Sequence, residues 1–144
     1  MIKKMLMALT FTLLIATACT GGTGGSVSGT RQSCQSSAGA INCQGTINRL
    51  SGRFAHEVET TFYNEGDAVL VDAQFEIESG QMQISITGPD GSQTTAEALP
   101  GAPATLSGSA TVTSAWDATA IPITLEAING NVEGISFDIS INQP

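Results

Sequence analysis

Residues 69–77 decide the fold, and they read Val-Leu-Val-Asp-Ala-Gln-Phe-Glu-Ile. From Val69 to Ile77 every second residue is apolar, and the residues between them are mostly polar. Because side chains of a β-strand point alternately to two faces, this period of two predicts a strand with one buried face. The same pattern predicts further strands at residues 54–62, 82–86, 106–112, 121–127 and 135–141.

Turn-forming residues separate these strands. Asn64-Glu65-Gly66-Asp67 and Gly88-Pro89-Asp90-Gly91 have the composition of turns, and Asn129-Gly130-Asn131 is a tight-turn signal before the last strand. Residues 92–99 are expected to add a weaker seventh strand, and residues 41–47 a pairing at the sheet edge. Regular short strands with turns between them are typical of a sandwich or a small barrel.

The alternation requires one buried face per sheet, and two sheets can cover each other. We therefore predict an all-β fold, an antiparallel β-sandwich of about seven strands over residues 34–144. Residues 79–91, a short strand followed by a Pro-Asp-Gly turn, resemble a hairpin of exported bacterial sandwiches such as pre-peptidase C-terminal domains and CUB-like modules. This resemblance supports the architecture and implies no function.

Length and charge limit the function classes. The chain has 144 residues, enough for one ordinary domain of ~100–150 residues. It carries 13 acidic residues against 5 basic ones, a net charge of -8. Because nucleic-acid binding needs a cationic surface, no nucleic-acid partner is expected.

The first residues have the features of an export signal. Lys3 and Lys4 precede an apolar run at residues 5–15, which is shorter than the roughly 20 residues that a membrane-spanning helix needs. Ile15-Ala16-Thr17-Ala18-Cys19 resembles the lipobox of bacterial lipoproteins. The resemblance implies that residues 1–18 are removed as a signal peptide and that Cys19 receives lipid, with palmitate-type acyl chains as the membrane anchor. Ala16 stands where that family usually has Leu, and ordinary secretory cleavage at the same bond remains the alternative.

The cysteine count favours lipidation. Three cysteines are an odd number for an exported protein, and a lipid on Cys19 leaves Cys34 and Cys43 to form a disulfide. Residues 19–33 are rich in Gly, Ser and Thr and are expected to form a flexible tether. The expected location is the cell envelope: the outer membrane of a Gram-negative host, otherwise the outer face of the cytoplasmic membrane.

The candidate site residues are few. His56 is the single histidine, and without a G-x-S-x-G motif or metal-ligand spacing it is interpreted as structural. No catalytic residue, metal or cofactor is expected. Trp116 and Tyr63 are the candidate ligand contacts, since exposed aromatic rings stack on sugars and anchor protein partners. The favoured alternative for Trp116 is that its ring fills one end of the sandwich.

These observations predict a non-catalytic, lipid-anchored envelope protein whose sandwich binds an unknown protein or glycan. One alternative is a freely secreted β-sandwich binding protein. A less favoured alternative is a hydrolase that uses His56 and nearby acidic residues.

Overall fold

The computed structural model describes residues 24–115 and 118–144, and within them the chain forms eleven β-strands and no helix. In chain order the strands are β1 (Ser26–Ser28), β2 (Arg31–Ser37), β3 (Ala40–Ser51), β4 (Arg53–Thr60), β5 (Ala68–Glu76), β6 (Met82–Thr87), β7 (Gln93–Ala98), β8 (Ala104–Thr111), β9 (Thr113–Ala115), β10 (Ala118–Ala127) and β11 (Val132–Asn142).

The strands form two sheets. The six-stranded sheet has the order β1-β3-β11-β5-β8, and β2 pairs with β3 on the side where β1 also lies. The five-stranded sheet has the order β4-β10-β6-β7, with β9 beside β10. All of these pairings are antiparallel. The predicted antiparallel β-sandwich is confirmed.

The core lies between the two sheets and is built from the alternate residues that the sequence pattern selects. Phe75 and Ile139 come from the six-stranded sheet and Ile84 and Ile123 from the other, and all four are fully buried. Burying each such side chain stabilises the fold by about 1.5–3 kcal/mol. The six strands predicted from the alternation correspond to β4, β5, β6, β8, β10 and β11, and the weaker seventh is β7.

One expectation about the position of a strand differs from the structure. Residues 41–47 belong to β3, which lies inside the six-stranded sheet rather than at its edge. The Asn129-Gly130 turn joins β10 to β11, which belong to different sheets, so it carries the chain across the sandwich and closes no hairpin. Asn129 and Gly130 have φ values of 55° and 131°, and this left-handed backbone favours Asn and Gly.

The six-stranded sheet begins before residue 34, inside the segment assigned to the tether. Both β1 and the first half of β2 lie there and pair with β3. All seven residues of β2 are exposed, which is why this edge strand shows no apolar alternation. The predicted disulfide is present: Cys34 and Cys43 are directly opposed in β2 and β3, with their sulfur atoms bonded.

Some expectations fall on residues that the structure does not describe. The signal peptide at residues 1–18, Cys19 and Trp116 all lie outside the described residues. Between residues 24 and 144, apart from 116–117, no helix is long and apolar enough to cross a membrane.

Candidate ligand-binding groove

The outer face of the six-stranded sheet is polar because its strands bury the alternate, apolar residues. The antiparallel register aligns the outward side chains of β3, β11 and β5 in rows that run across the strands. The first row contains Asn42, Ser140, Asp72 and Ser107; the second contains Gln44, Asp138 and Gln74; the third contains Thr46, Ser136 and Glu76.

The first row is internally hydrogen-bonded. The hydroxyl of Ser140 donates to Oδ1 of Asn42 at 2.8 Å, and the hydroxyl of Ser107 donates to Oδ1 of Asp72. These two bonds hold the four side chains in pairs, while Nδ2 of Asn42 and Oδ2 of Asp72 are not used by either bond.

The second and third rows are different. Nε2 of Gln44 donates to Oδ2 of Asp138 at 3.2 Å, and within residues 24–115 and 118–144 it is the single side-chain hydrogen bond in these two rows. The amide of Gln74 and the carboxylate of Glu76 face outward beside it. These two rows therefore present donors and acceptors to solvent.

A groove of about 600 Å³ lies over the second and third rows. It crosses four strands, β2, β3, β11 and β5, and at ~4.8 Å between strands it is about 14 Å wide. Arg31 and Ser33 of β2 line its edge. Its floor and walls carry the side chains Gln44, Thr46, Gln74, Glu76, Ser136 and Asp138.

A second depression of about 520 Å³ continues the groove along the strands. It shares the third row with the groove and adds the carboxylates of Glu78 and Glu133. Gly134, with a φ of 64°, lies between Glu133 and the buried Ile135, and a Cβ at this glycine would collide with the side chain of Glu78. The glycine therefore permits the close approach of Glu78 to β11.

The groove and its continuation are acidic. Among the described residues, four carboxylates line them, those of Glu76, Glu78, Glu133 and Asp138, together with one cation, Arg31. This charge repels an anionic ligand and accommodates a neutral or cationic one. Among the described residues, no three His, Cys, Asp or Glu side chains are grouped closely enough to hold a metal ion.

His56 lies on the inner side of the same region, between the two sheets. Its Nε2 atom is 2.5 Å from Oε1 of Gln32, and its ring meets that of Phe137 edge-on at a centroid distance of 4.9 Å. The side chain is 6% exposed, and this burial lowers the pKa of the imidazole. Among the described residues its hydrogen-bond partner is an amide, not the acid of a Ser-His-acid triad, so the geometry gives no support to a hydrolase.

Tyr63 is not placed to contact a ligand. Its side chain is 6% exposed, and its hydroxyl donates to the backbone carbonyl of Gly39. The hydroxyl of Thr119 in turn donates to the backbone carbonyl of Tyr63 at 3.0 Å. The expected ligand contact at this residue is corrected to a structural role, because the ring fills one end of the core and its polar atom is satisfied there.

Sequence reasoning missed the residues of the groove. Gln74 and Asp138 lie in adjacent strands because β5 pairs with β11, although the two residues are far apart in the chain. Each strand taken alone shows only the polar half of an alternating pattern. No local motif marks these positions, since the groove depends on strand order.

Comparison with known proteins adds little. No family model matches the chain, and no curated protein matches it. Among solved structures, the chain is similar to a carbohydrate-binding module of Cellvibrio mixtus lichenase 5A in complex with cellotriose. The match covers 78% of this chain and 88% of that one, with 11% sequence identity and a TM-score of 0.24. A likeness this weak carries no argument about the ligand, and the groove is interpreted from its own chemistry.

Proposed function

We propose that this chain is a non-catalytic, envelope-anchored module that binds a neutral or amine-bearing glycan in the groove of the six-stranded sheet. The observation that carries the proposal is the groove over the second and third rows. Gln74, Glu76 and Ser136 line it, and among the described residues none of them makes a side-chain hydrogen bond.

The side-chain types in the groove suit a glycan. Sugar hydroxyls both donate and accept hydrogen bonds. The groove offers amides that do both, at Gln44 and Gln74, and carboxylates that accept, at Glu76 and Asp138. The Gln44–Asp138 hydrogen bond holds two of these groups in place before a ligand arrives, which reduces the entropy lost on binding.

The charge of the groove selects among glycans. With four carboxylates and one arginine along the groove and its continuation, uronic-acid and sulfated glycans are repelled. Amine-bearing sugars gain a charge-assisted hydrogen bond to Glu76 or Asp138. A neutral chain binds through uncharged hydrogen bonds alone.

The affinity is expected to be modest. Within residues 24–115 and 118–144, Phe137 is the one aromatic residue that lines the groove, and at 5% exposure its ring is covered and offers no stacking platform. Binding therefore rests on hydrogen bonds worth about 0.5–1.5 kcal/mol each. A handful of them supports a Kd of roughly 0.1–10 mM for a single groove.

The anchor part of the proposal rests on the lipobox resemblance. Because β1 begins at Ser26, residues 20–25 are the connection between Cys19 and the sheet. Six residues span at most about 20 Å when fully extended, which keeps the domain close to the membrane surface. The binding module would then act on glycans within the envelope.

The test is a titration of the mature protein with three probes of similar length: a neutral β-glucan oligosaccharide, a glucosamine oligosaccharide and an oligogalacturonate. Calorimetry or NMR shifts should detect the first two and not the third. The amides of Gln44 and Gln74 should shift together on binding, since both line the same groove.

Two matched variants locate the site. Gln74→Ala removes a groove amide and is expected to weaken binding at least fivefold. Gln83→Ala removes the same side chain from the five-stranded sheet, on the far side of the sandwich, and is expected to leave binding unchanged. Equal binding by both variants, or preference for the oligogalacturonate, would overturn the proposal.

A further inference from the structure

The strand β2 forms an open edge of the six-stranded sheet. It pairs with β3 on one side, and in the part of the chain that the structure describes no strand lies on its other side. All seven of its residues are exposed. An edge strand of this kind presents unpaired backbone N–H and C=O groups to any strand that can reach it.

The disulfide shows which backbone groups are unpaired. The Cα atoms of Cys34 and Cys43 are 4.1 Å apart, the spacing of a non-hydrogen-bonded antiparallel pair rather than the ~5.5 Å of a hydrogen-bonded one. Cys34 therefore directs its N–H and C=O away from β3, and by the alternation of the ladder so do Gln32 and Ser36. Ser33 and Gln35, which alternate with these three residues, direct their N–H and C=O groups toward β3.

β2 differs in charge from β4, an edge strand of the other sheet. In the five-stranded sheet, the edge strand β4 carries Glu57 and Glu59, which discourage pairing with a like strand. In β2 the single charged residue is Arg31, at its first position.

We propose that β2 pairs with β2 of a second copy of this chain, antiparallel and centred on Cys34. In this register Gln32 faces Ser36 of the second copy, and all outward backbone groups of both strands are used in six hydrogen bonds. Arg31 faces Ser37, so no like charges are opposed. The two six-stranded sheets join edge to edge, with the grooves on one continuous face.

This proposal is independent of the ligand, since it depends on the backbone of β2. Pairing through one short strand buries a small, polar area and is expected to be weak in dilute solution. Anchoring on a membrane would favour it, because it raises the local concentration of copies.

The experiment follows amide hydrogen exchange of the mature protein by NMR, over a hundredfold range of protein concentration. At high concentration the amides of Gln32, Cys34 and Ser36 should exchange at least tenfold more slowly, while those of Ser33 and Gln35 are protected at every concentration. Sedimentation should report the matching change from one copy to two.

The discriminating variant is Ser36→Pro. It deletes an N–H that faces away from β3, so the β2–β3 ladder and the fold remain, but the contact with a second copy is blocked. Ser36→Ala keeps the N–H and is the matched control. We expect dimerisation at least tenfold weaker in Ser36→Pro and unchanged in Ser36→Ala.

Three results would overturn the proposal. One is a single copy at all concentrations with the three amides exchanging freely. Another is protection of these amides in the monomer, which would indicate that another segment of the same chain occupies the edge. The third is a dimer that Ser36→Pro does not weaken, which would place the interface elsewhere.

Discussion

The imidazole of His56 and the side-chain amide of Gln32 are joined by a hydrogen bond of 2.5 Å, and this bond connects β4 of one sheet to β2 of the other. An amide oxygen can only accept, so Nε2 of the ring donates the proton. The ring also packs against Phe137. The two sheets are thus linked by a histidine whose pKa is lowered by its burial.

Stability should fall as the pH is lowered from about 7.5 to 5.5. Burial lowers the pKa of His56 in the folded protein, whereas in the unfolded chain the imidazole titrates near its usual value. The unfolded state therefore takes up the proton first as the pH falls through that value, and the loss of stability ends below the lowered pKa of the folded state. The slope should reach at most about 1.4 kcal/mol per pH unit, measured by urea unfolding.

The control for this prediction is His56→Gln, which keeps a hydrogen-bonding side chain and removes the titration. Its unfolding free energy should depend less on pH over the same range, because the buried imidazole is no longer there to take up a proton. An equal slope in the variant and the original protein would show that another group is responsible.

Gly45→Ala should destabilise the fold by about 1–3 kcal/mol. Gly45 lies opposite Phe137 in the six-stranded sheet, and a Cβ there would be 2.5 Å from Cζ of that ring, with the backbone oxygen of Arg31 also too close. Gly24→Ala is the control, since nothing lies within 4 Å of its Cβ position. Denaturant unfolding measures both variants.

A second variant tests whether the ring is the cause. Phe137→Leu in the Gly45→Ala background should recover part of the loss, so the two changes should be non-additive. Additive effects would assign the cost of the alanine to the backbone contact with Arg31 instead.

Reduction of the Cys34–Cys43 disulfide should lower the unfolding free energy by about 2.5–3 kcal/mol. The two cysteines are nine residues apart, and the chain-entropy model gives this value for so short a loop. Comparing oxidised and reduced protein in denaturant measures it. The double variant Cys34→Ala, Cys43→Ala should not respond to reductant; a response in that variant would point to an effect other than this bond.

The strands with a buried face were predictable from sequence, because burial imposes the period of two that Val69, Val71 and Phe75 display. β2 was not predictable in this way. Its residues are all exposed, and what makes it a strand is the pairing with β3 and the disulfide, neither of which produces an alternating pattern.

The groove was not predictable either. Gln44, Asp138 and Gln74 become neighbours through the order β3-β11-β5, and strand order is set by the packing of the whole chain rather than by local sequence. Tyr63 is the reverse case, a residue that the sequence selected as a ligand contact and that the structure buries in the core. Its aromatic ring was a reasonable ligand contact from sequence alone, but the hydrogen bond that its hydroxyl makes to Gly39 could be known only from the folded chain.

The lipid anchor predicts a definite mass. The mature protein extracted from membranes should have the mass of residues 19–144 plus acyl chains on Cys19, and reduction should add two hydrogens for the Cys34–Cys43 bond. A Cys19→Ser variant should lose the acyl mass and leave the membrane fraction, while the gain of two hydrogens on reduction is kept. An unlipidated mass for the original protein would contradict the anchor. The groove proposal would then apply to a freely secreted protein, with Cys19 as an unpaired thiol.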